Sequence, residues 1–100
     1  MNVTFQSVQF KADQRLLDFT EKKVSKLDQY YESIIGAEVI FRLVPDQDRE
    51  NKVAEIKLSI PDRDYLFSKK NAVSFEEAVD LAVAAIKHQL ERVKEKSRFK

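Results

Sequence analysis

The sequence predicts an α+β domain with the order β-α-β-β-β-α, in which two helices cover one face of a four-stranded sheet. Four short segments are rich in β-branched and aromatic residues or alternate between apolar and polar ones, and two longer segments repeat apolar residues at three- and four-residue steps. One crossover helix makes the first strand parallel to the second, and short connections make the later strands antiparallel. Each helix and strand has one apolar face. We therefore expect a mixed sheet with both helices packed side by side on it.

Length and composition limit what this domain can be. The 100 residues suffice for a single core, so we expect one domain spanning 1–100. The net charge is only +1, so any affinity for nucleic acid depends on where the charges lie. The absence of cysteine excludes disulfides, thiolate zinc sites and cysteine catalysis, and fits a reducing cytoplasm. No apolar run approaches 18 residues, so membrane insertion is not expected.

The first two predicted elements are a strand over residues 3–10 and a helix after Asp13, which is a plausible N-cap. The strand changes its apolar phase near Ser7, which indicates an edge strand with a turn or bulge there. The helix is predicted to run to about Ile35, with Gly36 as its C-terminal stop. Its inner face is predicted to carry Leu16, Leu17, Val24, Leu27, Tyr31 and Ile35.

The opposite face of this first helix mixes bases with aromatic rings: Arg15, Phe19, Lys22, Lys23, Lys26 and Tyr30. Lysine and arginine neutralise phosphates, and an exposed ring can stack on a base or a sugar. The alternative is that Phe19 and Tyr30 pack laterally against the second helix or a loop.

Three further strands are predicted over residues 37–44, 53–60 and 64–70. In the second of these, we expect Ala54, Ile56, Leu58 and Ile60 to point inward. The last strand is predicted to place Tyr65 and Phe67 on its apolar face. Its end carries Lys69 and Lys70, which are added to the candidate RNA contacts because of their charge.

Residues 74–100 are predicted to form one long helix, around which the domain is organised. Ser74 and Glu77 have the spacing of a capping box. The apolar stripe is predicted to contain Phe75, Ala78, Val79, Ala82, Ile86, Leu90 and Val93. From Lys87 onward, six bases oppose two acids. Preference for the helix dipole explains this order, but a cationic helix end is also a candidate phosphate-binding surface.

No catalytic or metal-binding constellation is recognisable, so we expect neither an enzyme nor a cofactor. The single histidine, His88, lacks the partners of a metal site or a triad, and it is interpreted as a surface base. Asp46, Asp48 and Glu50 alternate in a loop but lack the glycine turn and the bidentate glutamate of a calcium site.

Two motifs resemble the short ribosome hibernation promoting factors, also known as ribosome-associated inhibitors or subunit-interface proteins of the sigma-54 modulation family. The run FTEKKVSKLDQYY at residues 19–31 is similar to the family pattern F-x-x-x-K-x-x-K-L-D/E-x-Y/F-Y/F. Phe75, Ala78, Val79 and Asp80 resemble its M/F/Y-x-x-A-I/V-D segment, which precedes a basic tail. The resemblance spans nearly the whole chain. The family fold is similar to a double-stranded-RNA-binding domain with an added N-terminal strand.

The sequence also departs from the family pattern at a few positions. Ser7 stands where the family often has glycine, so the turn after the first strand is expected to differ. Ala85 and His88 stand where lysine and arginine are common, and Lys87 partly compensates.

The resemblance implies a cytoplasmic, non-enzymatic inhibitor of translation that acts in slow growth or stress. Its partner would be the small ribosomal subunit with its 16S-type rRNA, bound in the mRNA and tRNA channel at the A and P positions. No membrane or small-molecule substrate is implied, and we expect a monomer when free, without a C-terminal dimerisation domain. The RNA contacts carried over from the family are Lys23, Lys26, Arg92, Lys94 and Lys96. Charge placement adds Lys22, Lys69, Lys70, Lys87 and His88.

Two other functions remain open at this point. A general double-stranded-RNA-binding module would use the same bases but would bind free duplex and ribosomes alike. A structural protein that oligomerises through Phe19 and Tyr30 would form dimers and ignore RNA.

Overall fold

The computed structural model describes residues 1–45, 49–61 and 63–98 and has the predicted order of elements. The strands are β1 (Asn2–Val8), β2 (Gly36–Leu43), β3 (Lys52–Ser59) and β4 (Leu66–Ala72). The helices are α1 (Gln14–Ser25) and α2 (Phe75–Arg98), and a short 3₁₀ segment, Lys26–Gln29, continues α1. Asp46, Asp48 and Lys100, which entered the predictions above, lie outside the described residues, and so does Asp62.

The four strands form one mixed sheet in the order β1-β2-β3-β4. As predicted, β1 is an edge strand parallel to β2, while β2, β3 and β4 pair antiparallel. Both helices pack on one face of this sheet, which we call the inner face, and share a single core with it. Among the described residues, no helix packs on the other face of the sheet, which we call the outer face.

The core lies between the inner face and the two helices. The predicted inward residues of β3, namely Ala54, Ile56, Leu58 and Ile60, are all buried. Phe41 of β2 is fully buried, and the Phe75 ring meets it edge to face at 5.8 Å between centroids. Phe10 stacks on Phe75 at 4.4 Å. Such ring pairs stabilise beyond their buried area, so this cluster fixes the first turn of α2 against the sheet.

Helix α1 begins as predicted but ends about ten residues earlier than predicted. Asp13 accepts a hydrogen bond from the Leu16 amide at 2.9 Å, which confirms it as the N-cap. The chain tightens into the 3₁₀ segment after Ser25, and the Tyr30 amide then donates to the Leu27 carbonyl. Ser33 follows with a positive φ of 67°, a conformation that does not continue a helix.

Because α1 ends early, the predictions made for Ile35 and Gly36 are wrong. Ile35 is 63% exposed, and its neighbour Ile34 is buried in its place. Gly36 is not a helix stop, because it is the first residue of β2 and pairs with Asn2 and Ser59. A Cβ at Gly36 would lie 2.9 Å from the Asn2 carbonyl oxygen, so the close approach of β1 requires glycine here.

The turn after β1 also differs from the prediction. Ser7 keeps its place in the ladder opposite Phe41, so β1 has no bulge there. The chain turns two residues later, at Gln9, whose φ is 70°. A polar residue tolerates this left-handed conformation better than Val8 or Phe10 would.

The prediction for β4 placed the wrong residues on its inner face. Tyr65 and Phe67 are 49% and 45% exposed, and the buried residues of the strand are Ser68 and Ala72. The Ser68 hydroxyl donates to the Ala82 carbonyl of α2 at 2.9 Å. A polar residue can occupy this buried position because its hydrogen bond is satisfied by the helix.

Helix α2 confirms the predicted stripe and cap. The six stripe residues from Ala78 to Val93 are buried, and Phe75 is partly buried against them. Ser74 Oγ accepts a hydrogen bond from the Glu77 amide at 3.1 Å. Within the described part of the chain, no helix is both long enough and apolar enough to cross a lipid bilayer.

Candidate nucleic-acid interface

Helices α1 and α2 lie side by side and run in the same direction. Lys23 Nζ of α1 lies 3.3 Å from Asp80 Oδ1 of α2. Seven residues later in each segment, Lys87 Nζ of α2 lies 4.4 Å from the ring centroid of Tyr30, which follows the 3₁₀ segment. The contact therefore continues in the same direction along both segments. The C-terminal halves of the two helices, where most of their bases are, lie at the same end of the domain.

The bases at this end form a surface shared by the two helices, which we call the helix surface. Lys22 and Lys26 are exposed and Lys23 is partly buried on the α1 side, while α2 contributes Lys87, partly buried, and the exposed His88, Arg92, Lys94 and Lys96. All eight were predicted RNA contacts. The fold thus brings together charges that lie more than 60 residues apart in sequence, for example Lys26 and Lys87.

Several of these bases already contact other side chains of the domain. Lys23 pairs with Asp80, and its Nζ also lies 5.4 Å from the Phe19 ring centroid. Lys87 lies over Tyr30. A phosphate bound by Lys23 or Lys87 would have to compete with these contacts, whereas Lys22 and Lys26 are exposed.

The two rings predicted to be exposed on α1 differ in their environments. Phe19 is partly buried and packs against the core, as in the lateral-packing alternative. Tyr30 is 36% exposed and lies against Lys87 of α2. Tyr30 is therefore the ring of this pair that is better placed to meet a base or a sugar.

Lys94 lies in a more acidic environment than the sequence suggested. It lines an open cleft between the end of the 3₁₀ segment and the second half of α2. The same cleft is lined by four carboxylates, those of Asp28, Glu32, Glu91 and Glu95. These acids reduce the local positive potential, so Lys94 is the least favourably placed of the bases on the helix surface.

Lys69 and Lys70 do not join the helix surface. Both are exposed on β4, but the register places Lys69 opposite Glu55 on the outer face and Lys70 opposite Ala54 on the inner side. Gln89 of α2 donates to the Phe67 carbonyl, and Ser68 donates to Ala82, so α2 runs antiparallel to β4. Lys69 and Lys70 therefore lie level with the acidic first half of α2.

Sequence reasoning missed a second group of residues, on the outer face of the sheet. Lys57 Nζ lies 4.3 Å from the Tyr65 ring centroid, and Lys57 is opposite Phe67 in the ladder. The signal was present in β3: Ile56 and Leu58 point inward, so Lys57 between them must point outward.

Residues 1–45, 49–61 and 63–98 contain no group of three or more His, Cys, Asp or Glu side chains able to hold a metal ion. The chemistry that the helix surface offers is charge neutralisation and ring stacking, two of the interactions that proteins use with RNA.

Comparisons with known proteins agree with the motifs and the fold. Residues 3–98 match the model of the family described as sigma 54 modulation protein / S30EA ribosomal protein. Because the match covers almost the whole chain, the protein belongs to this family, and the resemblance inferred from its two helices is confirmed. The comparison with curated proteins gave no match.

Two solved structures share the fold at low sequence identity. The N-terminal domain of Thermus thermophilus Protein Y has a TM-score of 0.81 and 23% identity, covering 93% of this chain and 99% of that one. A ribosomal subunit interface protein from Coxiella burnetii has a TM-score of 0.84 and 18% identity, covering 95% of this chain and 99% of that one.

Proposed function

We propose that this protein is a ribosome hibernation factor that binds the small ribosomal subunit and inhibits translation in slow growth or stress. The observation that carries the proposal is the helix surface of a chain that belongs to the sigma 54 modulation / S30EA family. The similarity to a ribosomal subunit interface protein supports a ribosomal partner. The protein acts in the cytoplasm, as a binding protein without catalysis or a cofactor.

Binding is driven by neutralisation of rRNA phosphates at the helix surface. Lysine and arginine side chains displace counterions from the phosphate backbone. The binding free energy gained in this way does not depend on the RNA sequence. The contact residues are Lys22, Lys23, Lys26, Lys87, His88, Arg92, Lys94 and Lys96. Of these, Lys22, Lys26, Arg92 and Lys96 are exposed and lie outside the acidic cleft, so they contribute most.

Inhibition follows from steric occupancy. A domain held in the mRNA and tRNA channel at the A and P positions excludes both ligands without any chemical step. Because the deep, narrow major groove of an RNA helix keeps side chains from its base edges, specificity comes from the shape of the folded rRNA.

Sedimentation with purified ribosomal subunits tests this function. We expect the protein to pellet with small subunits and not with large ones, and excess tRNA to release it, because tRNA would compete for the channel. Equal affinity for free RNA duplex would instead indicate a general double-stranded-RNA-binding module. Dimers that ignore RNA would indicate the oligomerising structural protein, whereas the proposal expects a free monomer.

A further inference from the structure

The outer face of the sheet carries two exposed aromatic rings that the core does not use. Tyr65 and Phe67 are about half exposed, at 49% and 45%. Residues two apart in an extended segment point to the same side, and both rings lie close to Lys57, which contacts Tyr65 and faces Phe67 across the ladder. Single exposed apolar side chains are normal, but two adjacent exposed rings form a contiguous apolar patch, which is the feature that marks an interaction site.

The charges around the two rings favour an anion. Lys57 adjoins both rings, and Lys69 follows Phe67 by two residues on the same face. Both lysines are exposed. Among the described strand residues of this face, the acids are Glu55 and Glu38. Glu55 lies opposite Lys69 but is bound to Arg42 by an ion pair, and Glu38 lies opposite Lys57 on the side away from the rings. The strip along β4 therefore presents two rings and two cations.

Rings flanked by cations on an open sheet face form a known type of surface for single-stranded nucleic acid. Aromatic side chains stack on successive bases, and nearby lysines neutralise the backbone. Lys57 lies against one side of the Tyr65 ring and fixes its orientation, while half of the residue stays exposed. A protein partner would more often meet a surface depleted of lysine, and two of the four side chains in this strip are lysines.

We propose that this strip, formed by Lys57, Tyr65, Phe67 and Lys69, is a second nucleic-acid contact, which binds unpaired bases of single-stranded RNA. Tyr65 and Phe67 stack on two bases, and Lys57 and Lys69 contact the adjoining phosphates. The strip lies on the face of the sheet opposite the two helices, so it is separate from the helix surface. The two contacts differ in kind: the helix surface holds phosphates, while the strip binds bases that are free to unstack.

The test uses a fluorescently labelled eight-nucleotide oligouridylate and the complete chain. Fluorescence anisotropy compares the wild type with the Tyr65→Ser/Phe67→Ser double variant. We expect the double variant to bind the oligonucleotide at least about tenfold more weakly, because it loses two stacking contacts. The Tyr65→Phe variant keeps its ring and is expected to bind like the wild type.

A matched control removes two other exposed apolar side chains. Val73 and Leu81 are 47% and 44% exposed and lie outside the strip, so Val73→Ser/Leu81→Ser should leave binding unchanged. In an ¹H–¹⁵N spectrum, the oligonucleotide is expected to shift the amides of residues 65–69. Wild-type affinity of the ring-deleted variant would overturn the proposal, as would shifts confined to the helices.

The same variants separate this proposal from the proposed function. If the ring-deleted variant keeps oligonucleotide affinity but loses affinity for small subunits, the strip binds protein, and the nucleic-acid proposal fails. The helix surface is tested by charge reversal on α1 and α2, so either contact can fail while the other holds.

Discussion

Individual bases on the helix surface are not equivalent, because the domain already engages some of them. Lys23 lies 3.3 Å from Asp80, and Lys87 lies over Tyr30. An exposed ion pair such as that of Lys23 with Asp80 contributes about 0.2–1 kcal/mol to the stability of the fold. An RNA phosphate must displace the Asp80 carboxylate before it can bind Lys23. Asp80 therefore opposes RNA binding in two ways, because it repels the phosphate and competes with it for the lysine.

Replacing Asp80 by asparagine is therefore expected to strengthen binding to small subunits. The Asp80→Asn variant releases Lys23, and we expect affinity to rise by up to about fivefold, the equivalent of one exposed ion pair. The measurement is the dissociation constant by sedimentation at fixed salt. Glu76→Gln is the matched control, since it removes the same charge from the first turn of α2, away from both proposed RNA contacts. An equal gain in both variants, or none in Asp80→Asn, would contradict the prediction.

Gly36 shows how one residue position can be fixed by a close backbone approach. An alanine Cβ there would lie 2.9 Å from the Asn2 carbonyl oxygen, and a backbone atom cannot easily move away. We expect Gly36→Ala to lower the free energy of unfolding by about 1–2 kcal/mol, since overpacking outweighs the entropy that alanine removes from the unfolded chain.

Urea denaturation measures this change, with Ser33→Gly as the comparison. Ser33 has a φ of 67°, so glycine should be tolerated there without loss of stability. If Gly36→Ala leaves the urea midpoint unchanged, β1 can shift away from β2, and the close approach does not constrain this position.

At the scale of the elements, α2 was predictable because several independent signals agree. Its stripe is regular over five turns, and its cap has both the serine and the glutamate of a capping box. Helix α1 was predicted only in part, because the apolar residues Tyr31 and Ile35 continue its period past the real end at Ser25. The pattern does not show that the chain must turn at Ser33 to reach β2.

Strand β4 and the helix surface have features that local sequence patterns could not predict, because these features depend on contacts between residues that are distant in the chain. The inner position of β4 is occupied by Ser68, whose burial depends on the Ala82 carbonyl of a helix that is distant in sequence. Tyr65 and Phe67 resembled core residues because they are apolar and alternate. Likewise, the pairing of Lys23 with Asp80 and the acidic cleft beside Lys94 arise only when the two helices are packed together.

The N-cap of α2 is expected to contribute measurably to the free energy of unfolding. Ser74 Oγ accepts from the Glu77 amide, and without it that donor would depend on water. We expect Ser74→Ala to cost about 1 kcal/mol, the usual value for an N-cap. Chemical denaturation measures the change, and Ser74→Asp, which keeps an acceptor, should restore stability. A loss in Ser74→Asp as large as that in Ser74→Ala would show that the side-chain oxygen does not cap the helix.

At the scale of the whole molecule, the arrangement of charge matters more than its sum. The chain carries a net charge of only +1, but the parallel packing of α1 and α2 collects bases at one end of one side. The acids of the first turn of α2, Glu76 and Glu77, lie at the other end. Positive charge is therefore concentrated at one end of the two helices, and we expect RNA to approach the domain from the end where both helices terminate.

The central claim is that the helix surface holds the small ribosomal subunit, and a pair of charge-reversal variants tests it directly. One variant changes Lys26, Arg92 and Lys96 to glutamate, and the matched control changes Lys11, Arg49 and Arg63 to glutamate. All six side chains are exposed, and both variants lower the net charge by the same amount. Surface changes of this kind cost little stability, so both are expected to keep the circular-dichroism spectrum of the wild type.

The measurement is co-sedimentation with purified small subunits at one salt concentration. The helix variant should lose binding, because each reversal replaces an attraction to phosphate by a repulsion, while the control should retain most of it. A folded helix variant that still pellets with small subunits at wild-type affinity would contradict the claim and move the contact away from α1 and α2.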